Sequence, residues 1–154
     1  MRARTVLLTL ALCFAGAAVC SAQNPQMGTW KLNEAKSKIP AGVMKNTNVV
    51  YDAAGDEVKV TTDGVDRDGK PSHTEWTGKF DGKDYPLTGD PTAESRSYKT
   101  IDEHTVAVSN KQGGKATTNG RIVVAADGKS RTVNITGTDS AGKKVSSVAV
   151  YDKQ

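Results

Sequence analysis

Along most of the chain, apolar and polar side chains alternate in short runs, and a glycine-containing turn ends nearly every run. Alternation with a period of two places successive side chains on opposite faces of an extended chain. Each run therefore reads as a strand with one face to bury. Gly28–Asn33 is the first, with Gly28, Trp30 and Leu32 on one side and Thr29, Lys31 and Asn33 on the other. Thr47–Tyr51, Val58–Thr62, His73–Phe80 and Tyr85–Leu87 follow, then Ser95–Ile101, Thr105–Asn110, Ala116–Ala125, Arg131–Gly137 and Val145–Tyr151. Between them, a small or acidic residue, then Gly, then Lys recurs around Gly69, Gly82, Gly114, Gly128 and Gly142. Such turns need the positive φ that glycine accepts. The intervening strands differ in length and pattern, so the recurrence is shared turn chemistry and not an internal repeat. Only Glu34–Lys45 breaks the alternation. There Asn33 is placed to cap a short helical turn that Pro40 and Gly42 would end.

Strands joined by tight turns are antiparallel neighbours, which gives an all-β, up-and-down meander of about 8–10 strands. So many strands in an open sheet would leave long unpaired edges, and closure into a barrel removes them. The alternation nominates Trp30, Leu32, Val58, Val60, Trp76 and Phe80 for the interior, with Val106, Val108, Ile122, Val124, Val133 and Ile135. The last strand is undecided: Val148 and Val150 lie on one side, Ala149 and Tyr151 on the other.

Composition changes this picture mainly at the start of the chain. Arg2 and Arg4 precede an apolar run, Thr5–Val19, and the small residues Cys20-Ser21-Ala22. That is the pattern of a secretory signal peptide over residues 1–22, too short to span a bilayer, leaving one domain at 23–154. No other segment is apolar enough to insert stably in a membrane, and a secreted or periplasmic location is expected. Both cysteines, Cys13 and Cys20, fall in the leader, so the domain holds together by burial without disulfides. Removing Arg2 and Arg4 lowers the formal charge from +4 to +2, and the remaining Lys and Asp are scattered. That distribution argues against a nucleic-acid footprint and for an ordinary solvated surface, and a monomer is expected.

The sequence GTWKLN at 28–33 and the closing VAVYDK at 148–153, with the meander between, resemble the calycin group: lipocalins, fatty-acid-binding proteins and bacterial lipocalin-like proteins. The chain is most similar to small secreted bacterial proteins that pair GTWKLN with FDGKDYP, here residues 80–86. The resemblance implies a lipocalin-like barrel with a small-molecule pocket. It departs in detail. Fatty-acid-binding proteins close on an Arg-x-Tyr pair that grips the ligand carboxylate; Tyr151 matches the tyrosine, but Ala149 stands in the arginine's place. The lipocalin Thr-Asp-Tyr motif is missing, and the lid has at most Glu34–Lys45.

Interior candidates for ligand contact are Trp76, Phe80, Arg96, Tyr98, Arg131 and Tyr151. Arg131 shares a face with Val133 and Ile135; it can hold an anion, snorkel to water, or cover the Trp30 indole as a base-of-barrel arginine does in lipocalins. Trp30 is expected to be a structural plug. Arg96 and Tyr98 share one side of their strand, but Ser97, Lys99 and Ile101 occupy the other, and surface placement is the expectation for the pair. Asp66, Asp68, Gly69 and Glu75 match part of a calcium loop; Pro71 and the flanking strands favour a solvated turn instead. His73 and His104 are dispersed, and acidic residues sit mostly in turns, so neither a catalytic constellation, a metal cluster nor a cofactor site is expected. The expected function is non-enzymatic binding of a small hydrophobic or amphipathic ligand inside the barrel. The alternative is a barrel filled by its own side chains that works through its surface, as an inhibitor or a cell-envelope interaction module.

Overall fold

The computed structural model describes residues 24–139 and 141–154; the leader at 1–22 lies outside them. Ten strands form the wall: β1 (Gly28–Leu32), β2 (Lys45–Ala54), β3 (Glu57–Val65), β4 (Pro71–Gly78), β5 (Tyr85–Thr88), β6 (Ser95–Thr100), β7 (Thr105–Gln112), β8 (Lys115–Val124), β9 (Ser130–Thr138) and β10 (Lys144–Lys153). Each pairs antiparallel with its chain neighbours, and β10 returns to β1 to close the barrel. The expected all-β meander closed on itself is thus the observed fold.

Closure is made by the two end segments. Trp30 lies opposite Lys153, Lys31 opposite Asp152, and Leu32 opposite Tyr151. Beyond Leu32 the chain leaves the ladder in one 3-10 turn, Glu34–Lys36, capped by Asn33, whose side chain accepts from the Lys36 N–H at 3.2 Å. Lys38 then rejoins β10, exchanging backbone bonds with Val148 at 2.7 and 2.9 Å. The Ser37 hydroxyl fixes the excursion: it accepts from the Val150 N–H at 2.9 Å and donates to the Asn33 carbonyl at 2.7 Å.

One end of the barrel is packed solid. Trp30, Trp76, Tyr51 and Tyr98 are buried there, with Phe80 and Tyr85 half-buried around them. Trp76 meets Tyr98 edge-on with 4.8 Å between ring centroids, and Phe80 lies 5.0 Å from Tyr98. Each indole N–H is satisfied within the plug: Trp30 donates to the Gln26 carbonyl and Trp76 to the Arg96 carbonyl, both at 2.8 Å. Burying an aromatic of this size hides on the order of 150–250 Å², or ~4–6 kcal/mol at about 25 cal/mol per Å² before conformational entropy is subtracted. Gly78 is required at its position, because a Cβ would meet the Tyr85 ring at 2.4 Å.

The interior pattern is mostly as the alternation predicts, with two differences. Phe80 lies just past the end of β4, because the chain turns at Gly78, and it packs from the loop. Val49, Tyr51, Thr62, Thr74 and Leu87 are also buried and were not nominated. The ambiguous β10 resolves with Ala149 and Tyr151 inward, since Tyr151 carries the larger ring and finds the Asn46 carbonyl for its hydroxyl at 2.9 Å.

Candidate functional site

Above the aromatic plug the barrel is hollow. A cavity of about 140 Å³ runs from the Tyr51–Tyr98 level to a mouth at the other end, bordered by Val43, Met44, Arg67, Asp90 and Thr92. Val108, Ile122, Val133 and Ile135 form an apolar wall, and Arg96, Tyr98, Arg131 and Tyr151 bring the polar groups.

Two strand irregularities aim these polar groups. The β2–β3 register shifts between Asn46 and Asn48, and the β7–β8 register shifts between Asn110 and Lys111. Bulges bend a strand and redirect its side chains. Here the first lies beside the Asn46 carbonyl that accepts the Tyr151 hydroxyl, and the second beside Asn110, whose Oδ1 accepts from Arg96 Nε at 2.7 Å. Gly64 permits the first bulge, since a Cβ there would lie 2.1 Å from the Lys45 carbonyl oxygen.

Arg131 is 2% exposed, with its guanidinium carbon 4.7, 4.8 and 5.0 Å from the ring centroids of Trp30, Tyr51 and Tyr151. One Nη donates to Gln26 Oε1 at 3.3 Å, while Nε is buried with no partner. A desolvated cation on an aromatic face is worth ~2 kcal/mol. Of the roles the sequence allowed, Arg131 takes the cover over the Trp30 indole, and it also lines the cavity.

Arg96 and Tyr98 point inward, against the expectation of surface placement: they are 7% and 3% exposed. Their strand, SRSYKT, carries no aliphatic alternation, so the inward side is decided by Tyr98 joining the aromatic plug, and Arg96 follows two residues away. Arg96 Nη1 donates to the Tyr98 hydroxyl at 3.3 Å. Burial pushes the Tyr98 phenol well above its ordinary range; it pushes Tyr151 up to about 12, the Arg131 cation pulling partly back. Both hydroxyls are therefore neutral donors and acceptors at physiological pH.

Trp76 and Phe80 were nominated as ligand contacts and do not line the cavity; both belong to the plug beneath it, as does Trp30. The residues that sequence reasoning missed are at the mouth and in the wall: Asn46, Asn110, Thr62, Arg67 and Asp90. Only Thr62, in phase with Val58 and Val60, carried an inward signal; Asn46 is out of phase with the inward Val49 and Tyr51, and the bulge between Asn46 and Asn48 turns it in.

The charge arrangement is one-sided. Among the described residues, neither Arg96 nor Arg131 has a carboxylate within hydrogen-bond or ion-pair distance. Asp90, the one acidic residue on the lining, is engaged at the mouth by the Thr92 N–H and hydroxyl, at 2.8 and 2.7 Å. Two guanidinium ions thus sit in a low-dielectric interior with no carboxylate to neutralise them, and the rings around Arg131 and the Asn110 and Tyr98 oxygens on Arg96 offset only part of the desolvation cost.

The remaining singled-out residues lie outside. Asp66 Oδ1 accepts from the Asp68 and Lys70 N–H groups at 2.9 Å each, closing the β3–β4 turn on itself. His73 stands on the outer wall with Nδ1 2.6 Å from Asp63 Oδ1, and that carboxylate holds the imidazole above its usual range. His104 belongs to the turn between β6 and β7. A comparison with family models and another with curated protein sequences find no match to this chain.

Proposed function

We propose that the protein is a secreted or periplasmic, lipocalin-like binding barrel that holds one small apolar or amphipathic molecule in its interior and does no chemistry on it. The observation that carries this reading is the division of the barrel: the aromatic plug fills one end, and the other keeps a cavity of about 140 Å³ open to a mouth. A barrel stabilised by packing alone gains from filling its interior, because each void forfeits contacts. An apolar wall with a few converging polar groups is the common form of a small-molecule pocket. GTWKLN and VAVYDK meet at the closing seam, as the resemblance to calycins implies.

Native mass spectrometry of the protein purified without detergent tests it. The expected result is a retained small molecule, or uptake of one equivalent from a mixture of small acids, fatty acids and retinoids. Repeatedly empty spectra, with no uptake, would favour the barrel that acts through its outer surface.

A further inference from the structure

We infer that the cavity takes a compact organic anion, a carboxylate on a single ring or short chain, with its charge on Arg96 and its apolar part on the Val108–Ile122–Val133 wall. This rests on the cavity being a ligand site. Three observations specify the class.

The first is charge. Arg96 and Arg131 are both more than nine-tenths buried, and both line the same cavity with no carboxylate paired to either among the described residues. Arg67 adds a third cation at the mouth. An anion entering this space meets a field focused by low-dielectric walls and relieves the cost of two unpaired charges.

The second is geometry. Asn110 holds Arg96 by Nε and Tyr98 lies against Nη1, so the fork is fixed by partners before any ligand arrives. A guanidinium has five N–H donors in a rigid plane, and those left over match a carboxylate edge. Arg131 is less free, caged by three rings and held by Gln26, but its buried Nε lacks a partner. Arg96 is therefore the anchor, and Arg131 supplies the field beneath it.

The third is size. About 140 Å³ is close to the ~150 Å³ apolar cavity that admits benzene, and below the ~300–1,000 Å³ of pockets for drug-sized ligands. The aromatic plug closes the far end, so a long acyl chain has nowhere to extend. A bare inorganic anion would leave the aliphatic wall unused.

Isothermal titration of the protein, unfolded and refolded to strip any resident molecule, tests this with benzoate, hexanoate, benzamide, palmitate and inorganic phosphate. One equivalent of benzoate or hexanoate should bind at least tenfold more tightly than benzamide, the neutral isostere, and more tightly than palmitate or phosphate. Arg96→Gln should weaken benzoate at least tenfold while leaving benzamide unchanged, and Arg96→Lys, which keeps the charge but loses the fork, should fall between. The comparison of probes on the unaltered protein stands even where a variant fails to fold. Equal binding of benzoate and benzamide, or palmitate binding best, overturns the inference. Absence of binding by any acid, with a neutral molecule retained in native spectra, overturns the anion and leaves the cavity reading intact; absence of both overturns the two together.

Discussion

Tyr98 and Tyr151 carry their hydroxyls into the barrel beside two arginines, and both phenols are held protonated by burial, Tyr151 up to about 12. In the unfolded chain a tyrosine ionises near pH ~10. A folded-state value raised above that means the native barrel keeps its protons where the unfolded chain gives them up. The stability these groups contribute is complete below about pH 10 and is lost as pH rises from there through about 12. An alkaline titration followed by phenolate absorbance and circular dichroism together should show Tyr98 and Tyr151 ionising only as the barrel opens. Ionisation of both near pH ~10 with the sheet intact would mean these two phenols are solvated. At this scale the sequence was partly legible. Trp30 was placed by alternation and by the GTWKLN resemblance, because a large apolar ring on a patterned strand has only one side to go to. Alternation with Val133 and Ile135 gave Arg131 a face but left open whether it covers the indole, holds an anion or reaches water. Arg96 was not placed, because Ser95–Thr100 has polar residues on both faces, and its direction follows from Tyr98 packing against Trp76, two strands away.

Among the elements, the closing seam is short, and only β5, held over two residue pairs on each side, is joined by fewer. β1 meets β10 over three residue pairs, and the ladder then depends on the segment after Leu32 returning at Lys38. Ser37 links these pieces by taking the Val150 N–H and giving its own proton to the Asn33 carbonyl. Ser37→Ala leaves a part-buried backbone donor unpaired, at a cost of about 1–3 kcal/mol. Urea unfolding should show that loss as a lower midpoint with an unchanged slope, and a midpoint equal to the parent's would show that water replaces the hydroxyl. The strands themselves were readable from alternation and turn glycines, since both follow from local geometry. The bulges at Asn46/Asn48 and Asn110/Lys111 were not, because a register shift depends on what the partner strand offers across the ladder. Since those bulges orient Asn110 toward Arg96 and the Asn46 carbonyl toward Tyr151, the polar part of the cavity was hidden with them.

At the scale of the molecule, the two readings of the interior, hollow or filled, turn out to describe its two ends. Six aromatic side chains and Arg131 pack one end, while Val108, Ile122, Val133 and Ile135 of β7, β8 and β9 face open space at the other. Sequence could not decide this partition, because it depends on how far long side chains from one end reach along the axis. The partition makes stability and binding separable. Enlarging an aliphatic wall residue, as in Val108→Phe, fills space that the fold does not use, whereas a change in the plug would damage the core. Cavity filling commonly adds about 0.5–2 kcal/mol, which for a domain of this size raises the melting temperature by a few degrees. Val108→Phe is therefore expected to melt at a temperature equal to or above the parent's, yet to lose benzoate binding by at least tenfold in the same buffer. If the variant melts normally and binds as before, the void beside Val108 is not where the ligand sits. If it melts several degrees lower, the wall is already packed, and the barrel is filled from end to end.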